Sequence, residues 1–545
     1  MSKIKMFALG GLNEVGKNMY VVEVDKDIFV FEAGLKYADD QSLGIDYMLP
    51  NYDYLIANKD RIKGIFITHG HDNEIGSVCD VICDIPDVKV YATKFSCEII
   101  KQDLEEENMS FDNLHEIKVH QKINFGKNSI FPIRVSHSIP DSVMYVLNTE
   151  DGAIVFTGNY IFDPAMTGLY STDMGKIAYV GKQGVLCLLN ESIYAPKASF
   201  TSPSHRATNM VKEIINKHDK RIIFTIMQAQ IFRIQEILDV ISKTHRSIVI
   251  MGKRLENIIY RAIELGFLNF DKDRIKNIHH INDENIIILM SNEREASFQN
   301  MQRAIKGFDK FLTLTSDDLV VLASPIYDSQ EVKATKVRDD LAKIGIETVV
   351  LKARSLHSSA EDIMMMINML NPKYYFPVSG EYRQQVENAN LAYRLGMSED
   401  NVFLKLNGQV VEIVDGKAYD NGEVVKTDEI LVDGKQSGDI GDLVLKDREL
   451  LGSNGIVFIT VTLDKETKKI LAGPEILTRG FIYVKDNTDL INEALEKCHD
   501  VIEESTTPQY VDFNKVKVGI RDRLGKFFYE QTSSKPMIIV NVQEV

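Results

Sequence analysis

The stretch GIFITHGHDNEIG, residues 64–76, decides how the chain is read. Its opening five residues are mostly apolar and include β-branched side chains, which reads as a buried strand. His69 and His71 follow at the mouth of that strand, one residue apart. A turn at this point relieves the alternation of side-chain direction, so both imidazoles can address one metal ion. The same residues also read as a solvated turn whose histidines hydrogen-bond locally. A third histidine, His137 in RVSHSIPDS, follows another β-like run, and VFTGNYIFD ends a further strand at Gly158 and Asn159. If His69, His71 and His137 converge, they form a three-imidazole site that suits zinc and leaves one position open.

Outward from this stretch, short β-type runs at residues 19–24, 28–31, 88–92 and 153–157 alternate with turns and helical segments. That is the pattern of a layered α/β domain. From about residue 198 the segments lengthen: amphipathic helices at 207–217 and 230–242 alternate with strands at 221–227 and 247–251, and later ones at 319–323 and 348–351 flank a helical pattern at 329–344. This reads as a second α/β unit. Residues 415–441 are rich in Gly and Asp and read as a linker, after which a strand (455–462), a helix (489–504) and a basic segment with Lys515, Lys517, Arg521, Arg523 and Lys526 form a small tail. The basic segment fits an RNA or partner contact and a solvated helix face equally well. The Met-rich run at 363–369 has the spacing of a buried helix.

With 545 residues, 44% hydrophobic and 26% charged, the chain has material for more than one core. Its net charge of −16 argues against a uniformly basic nucleic-acid coat or an anionic-membrane binder, so any RNA contact uses local patches. Five cysteines (Cys79, Cys83, Cys97, Cys187, Cys498) in no zinc-ribbon spacing argue against a disulfide framework and for a reducing cytoplasm. Neither an export signal nor a transmembrane run is expected.

The collinear order of GGLNEVGKNMY (10–20), EAGL (32–35), THGHDNEIG, RVSHSIPDS, FTGN, SLHSSAEDIMMMINMLNPKYYFPVSGEYR (355–383), GPEILTRGFIY (473–483) and KPMIIVNVQEV resembles the ribonuclease J family of metallo-β-lactamase-fold, β-CASP nucleases. The resemblance spans nearly the whole chain, and GGLNEVGKNMY with PVSGEYR is its most specific part. It implies an αββα sandwich (residues 1–197 and 355–430) interrupted by a β-CASP α/β insertion (198–354), then a linker (431–448) and a small α+β C-terminal domain (449–545).

Family members hold two metal ions through seven ligand positions and cleave RNA. Here His69, His71 and His137 match, whereas Asn73 and Glu74 stand where the family has Asp and His, Asn159 replaces the bridging Asp, and Ser379 replaces the final His. The Asp of the family's D-A-G-L segment is Glu32, which keeps the carboxylate. One divalent ion, zinc or manganese, is therefore expected at the trio, with Glu74 and Asn159 as weaker ligands, and the second ion is expected to be lost. Glu191 and His357 match catalytic positions, and Ser355, His357 and Ser359 match RNA phosphate-binding positions; Leu356 and Ser358 replace two glycines of that loop. The serines read equally as a helix cap at Ser358 or Ser359.

This degenerate ligand set is similar to that of the family's second paralogue in some Firmicutes. It implies an RNA-binding subunit with weak 5′ to 3′ exonuclease activity on 5′-monophosphorylated single strands, a homodimer or hetero-oligomer that assists an active paralogue in mRNA decay and ribosomal-RNA maturation. Two other readings stay open: a catalytically dead scaffold, and a fully active exo- or endoribonuclease with remodelled ligands.

Overall fold

A computed structural model describes residues 2–38, 44–291, 298–326, 330–434, 436–437, 442–482, 487–507 and 510–545. Two compact units emerge, Met1–Tyr37 with Tyr47–Ile430, and Ala38–Asp46 with Leu431–Val545.

In the first unit an eight-stranded sheet has the order Lys417–Tyr419, Val411–Val414, Lys3–Gly10, Met19–Val24, Asp27–Phe31, Ile62–Phe66, Val90–Ala92, Leu114–Glu116. A six-stranded sheet has the order Tyr374–Val378, Val185–Glu191, Gly152–Phe156, Val143–Thr149, Asn128–Arg134, Ile123–Phe125. Strands buried on both faces read as nearly continuous apolar runs, and KIKMFALG shows why. Its Ile4, Met6 and Ala8 enter the core between the sheets with Phe31, Phe66, Tyr145 and Phe156, while Phe7 and Leu9 face the opposite way, into a cluster with Val81, Phe95 and Ile99. On the other sheet Val155, Leu188 and Tyr375 pack against Ile177, Ile363, Met366 and Ala389 of the outer helices. The layers are helix, sheet, sheet, helix, the metallo-β-lactamase sandwich. The Met-rich helix Ala360–Leu370 is one of the outer helices.

Inserted in the sandwich is a six-stranded sheet with the order Ile275–Lys276, Ser247–Met251, Ile286–Met290, Ile222–Thr225, Leu319–Leu322, Glu347–Val350, and all its neighbours are parallel. Thr208–Lys217, Ile231–Ile241 and Lys253–Glu264 cover one face and Gln299–Ile305 and Glu331–Lys343 the other. Parallel strands need crossover helices, and the alternation of strand and helix patterns in the sequence reflects that need.

In the second unit the strand Ile456–Leu463 pairs antiparallel with Ile470–Arg479 and parallel with Met537–Glu544. Here the side chains alternate: Val457, Ile459, Val461 and Leu463 are buried against Cys498, Ile520 and Phe528 of the helices Thr488–Glu504 and Phe513–Thr532. The basic segment lies on Phe513–Thr532, where Arg523 pairs with Glu504. Tyr483 of GPEILTRGFIY lies outside the described residues.

The linker reading of residues 415–441, and of 431–448 within the domain scheme, needs correction. Lys417–Tyr419 completes the eight-stranded sheet, Glu429–Asp433 is a strand, and the helix Asp442–Asn454 begins inside the stretch. Asp415 (φ 52°) and Gly416 (φ 70°) form the two-residue loop that lets Val414 pair with Lys417. Both need positive φ, which Asp-Gly supplies. The Gly and Asp of this segment serve turns within the fold. Residues 435 and 438–441 lie outside the described set.

All five cysteines are free thiols, and among the described residues no helix is long and apolar enough to cross a membrane.

Candidate functional site

Strands of both sandwich sheets end at one rim, and the residues that follow them meet there. His69 and His71 follow Ile62–Phe66, and His137 follows Asn128–Arg134. The structure brings the three together: His69 Nε2 lies 2.8 Å from His71 Nδ1, and His137 Nε2 lies 3.3 Å from the same atom. A tetrahedral ion with Zn–N bonds near 2.05 Å spaces its nitrogen ligands about 3.3 Å apart.

The far nitrogens settle which way the lone pairs point. His137 Nδ1 donates to the Leu356 carbonyl at 2.8 Å. The Thr68 hydroxyl donates to Glu32, so its oxygen accepts from His69 Nδ1 at 2.8 Å. His71 Nε2 lies 3.2 Å from the Ser138 hydroxyl. With the outer nitrogens so occupied, the inner ones face each other as acceptors, the arrangement a cation relieves. Burial first, and then the neighbouring imidazoles, hold the His71 and His137 rings well below the ordinary imidazole pKa, so they stay neutral ligands at pH 7. The trio fits one divalent ion.

The second set of positions is different in kind. Glu74 Oε1 accepts from the Asn18 side chain at 2.7 Å, and Glu74 Oε2 lies 3.3 Å from His69 Nε2 with no hydrogen bond of its own. Ser379 stands at φ 53° just past Tyr374–Val378; its amide donates to Tyr20 and its hydroxyl is buried without a partner. Asn159 lies between the cleft and a small pocket that Glu32, Glu74 and Ser379 also line. Asn73 lines the cleft and packs on two glycines: a side chain at Gly16 would meet its Oδ1 at 3.0 Å, and one at Gly34 would meet its carbonyl oxygen at 1.6 Å. Only glycine permits that approach, which accounts for Gly34 in EAGL. Among the described residues, His69, His71 and His137 are the one group of three or more His, Cys, Asp or Glu whose ligand atoms all lie within 4.8 Å of one another. The second set does not fit an ion held as the first is.

Glu191, at the end of its strand, accepts from His357 Nδ1 (2.9 Å), the amides of Tyr160 and Ser358, and the Ser358 hydroxyl. His357 Nε2 is thereby left as the ring atom for chemistry, in the wall of a cleft that His71, His137, Ser138 and Ser355 also line. Ser359 is elsewhere. It is fully buried, caps the helix Ala360–Leu370 with Asp362, and its hydroxyl meets Thr201 at 2.7 Å. Leu356, read as a lost glycine, and Ser358, read as a lost glycine or a helix cap, orient His137 and Glu191 respectively. Ser138, Asn18 and Tyr160 carried no signal in the sequence, because each acts through a contact distant along the chain, and Thr68, beside His69, carried none because its anchor Glu32 lies 36 residues away.

The sequence-specific motifs are also paired in space, since the Glu14 and Gly380 backbones exchange two hydrogen bonds, of 3.0 and 3.1 Å. An αββα sandwich with a parallel α/β insertion and a buried imidazole trio at its rim defines a metallo-β-lactamase-fold hydrolase of the β-CASP type. Family models agree: a Ribonuclease J beta-CASP domain matches residues 219–341, a Zn-dependent metallo-hydrolase RNA specificity domain 346–403, and a Ribonuclease J C-terminal domain 443–545. The chain is 36% identical to Ribonuclease J2 of Bacillus subtilis over 99% of both chains. It is 32% identical to Ribonuclease J 2 of Staphylococcus aureus (strain NCTC 8325 / PS 47) over 99% of this chain and 98% of that one. The chain belongs to the ribonuclease J family. A crystal structure of an Enterococcus faecalis protein of unknown function shares the fold over 75% of this chain and 100% of its own (TM-score 0.53, 16% identity).

Proposed function

We propose that the chain is a ribonuclease J-type RNA-binding subunit with weak, metal-dependent 5′ to 3′ exoribonuclease activity, a cytoplasmic partner of an active paralogue in mRNA decay and ribosomal-RNA maturation. The observation that carries this reading is the contrast inside the pocket: three imidazoles set for one ion beside a second set with no imidazole at all. The names of the relatives, Ribonuclease J2, point the same way.

When bound by His69, His71 and His137, a divalent ion, zinc or manganese, stabilises negative charge on phosphoryl oxygens. The protein's own groups do the rest. Glu191, which accepts from His357 Nδ1, fixes the Nδ1–H tautomer and orientation of His357, so that Nε2 presents a lone pair that takes a proton from the attacking water and, as the imidazolium, returns it to the departing sugar oxygen. Ser355, on the cleft wall, contacts phosphate in the approach to the N-terminus of Ala360–Leu370, which favours an anion. Loss of a second ion removes charge stabilisation of several kcal/mol, and each 1.4 kcal/mol is about tenfold in rate.

The test is metal content per chain, with the turnover of one 5′-monophosphorylated RNA by this chain, an active paralogue and their mixture. The expected result is about one ion, feeble turnover alone, and a mixture faster than the paralogue by itself. Two firmly held ions with rapid turnover would establish an ordinary catalyst instead, and a metal-free chain with no RNA affinity would establish a scaffold.

A further inference from the structure

The helix Lys253–Glu264 of the inserted domain runs beside Lys94–Glu106 of the sandwich. Phe95 packs on Phe267 with ring centroids 4.9 Å apart, and Arg261 pairs with Glu98 at 2.6 Å. At the cleft end, Arg254 faces three carboxylates: Asp103 at 2.5 Å, Glu106 at 3.1 Å and Asp72 at 3.6 Å. Asp72 follows His71 directly and also accepts from the Tyr37 hydroxyl. Among the described residues that line the cleft, Arg254 is the one Lys or Arg, and Asp72 and Glu74 line it too.

An RNA cleft needs cations for the phosphate backbone, and a guanidinium is the side chain that matches a phosphate in a two-point fork. Here that guanidinium is held by three carboxylates, leaving the cluster with an excess of negative charge that repels a polyanion. Glu106 is 45% exposed, so solvent screens its pair with Arg254, while Arg254 and Asp103, at 18% and 19%, form the deeper pair that an entering phosphate has to displace.

We propose that Arg254 is a switchable RNA-phosphate contact: Asp72, Asp103 and Glu106 hold it and close the cleft in the RNA-free chain, and an entering phosphodiester takes it from them. This rests on the RNA-binding reading above. The clasp joins the inserted domain to the loop that carries His71, so RNA entry and placement of that loop are coupled.

Fluorescence anisotropy with a 5′-monophosphorylated single-stranded RNA, at several salt concentrations, tests it on the full-length chain. Asp103→Asn with Glu106→Gln is expected to tighten binding about tenfold, and Arg254→Ala to weaken it about tenfold and lower the salt slope by about one phosphate contact. Arg254→Lys, which keeps charge without the fork, is expected between wild type and alanine. The gain in the double variant cannot arise from misfolding, and metal content and melting temperature check the alanine variant. Affinity that falls in both, or moves in neither, while the wild type binds RNA, overturns the clasp alone. No binding by any variant, the double included, overturns the RNA-binding reading and the clasp with it.

Discussion

At the first metal position three imidazoles turn unprotonated nitrogens to a common point while Thr68, Ser138 and Leu356 occupy their outer nitrogens; next to it, Glu74 is tied to Asn18, and Ser379 has only its backbone engaged. The first region keeps both its ligands and the groups that aim them. The second offers neutral or already bonded groups, and its neighbours Asn18 and Tyr20 serve one another, the Tyr20 hydroxyl donating to Asn18 Oδ1 at 3.0 Å. The candidate ligands and the hydrogen bonds around them thus differ together between the two regions: one set is aimed at a common point and the other is not.

The sharpest way to break the comparison is to remove one member of the trio. His71→Ala is expected to lower metal affinity by about 100-fold or more, beyond the 10- to 100-fold typical of losing only an outer partner of a ligand, and to abolish RNA turnover. Equilibrium dialysis against a chelator series, followed by metal analysis, reads the first effect. If the variant holds as much metal as the wild type, the ion is not at the trio.

A second experiment runs in the opposite direction. Asn73→Asp, Glu74→His, Asn159→Asp and Ser379→His together restore the family's ligand types. Binding of a second ion and a rise in turnover of about 100-fold are expected, since one well-placed charge stabiliser is commonly worth two to three powers of ten. Metal stoichiometry and single-turnover rates read the two effects separately. A second ion without a rate gain would locate the defect in the cleft rather than in the ligands.

Legibility followed range. Apolar runs and helical spacing are local, so the strand at 247–251 is legible with the bounds it has and the Met-rich run at 363–369 falls inside the helix Ala360–Leu370. Residues 415–441 failed because Gly and Asp signal turns, and composition does not distinguish a turn inside a sheet from a turn in a tether. His69 and His71 announced themselves by spacing, and His137 by its place after a strand. What stayed hidden was whatever depends on a partner far along the chain: Ser358 to Glu191 across 167 residues, and Arg254 to Asp103 across a domain boundary. Leu356 illustrates the limit, since its side chain suggested a spoiled loop while its backbone oxygen orients His137.

The smallest effect concerns two serines four residues apart that the sequence placed in one role. Ser355 lines the cleft, whereas Ser359 is a helix cap with its hydroxyl against Thr201. Removing a serine cap costs about 1 kcal/mol, so Ser359→Ala is expected to lower the denaturant midpoint by that equivalent, with an unchanged slope and RNA affinity within about twofold of wild type. Ser355→Ala is expected to do the reverse, weakening RNA binding severalfold with little change in the midpoint. The two measurements on two variants form a cross, and only a cross separates the roles: equal losses of RNA affinity in both would mean that the cap is itself needed to present the loop, and phosphate binding would then belong to the helix terminus as a whole.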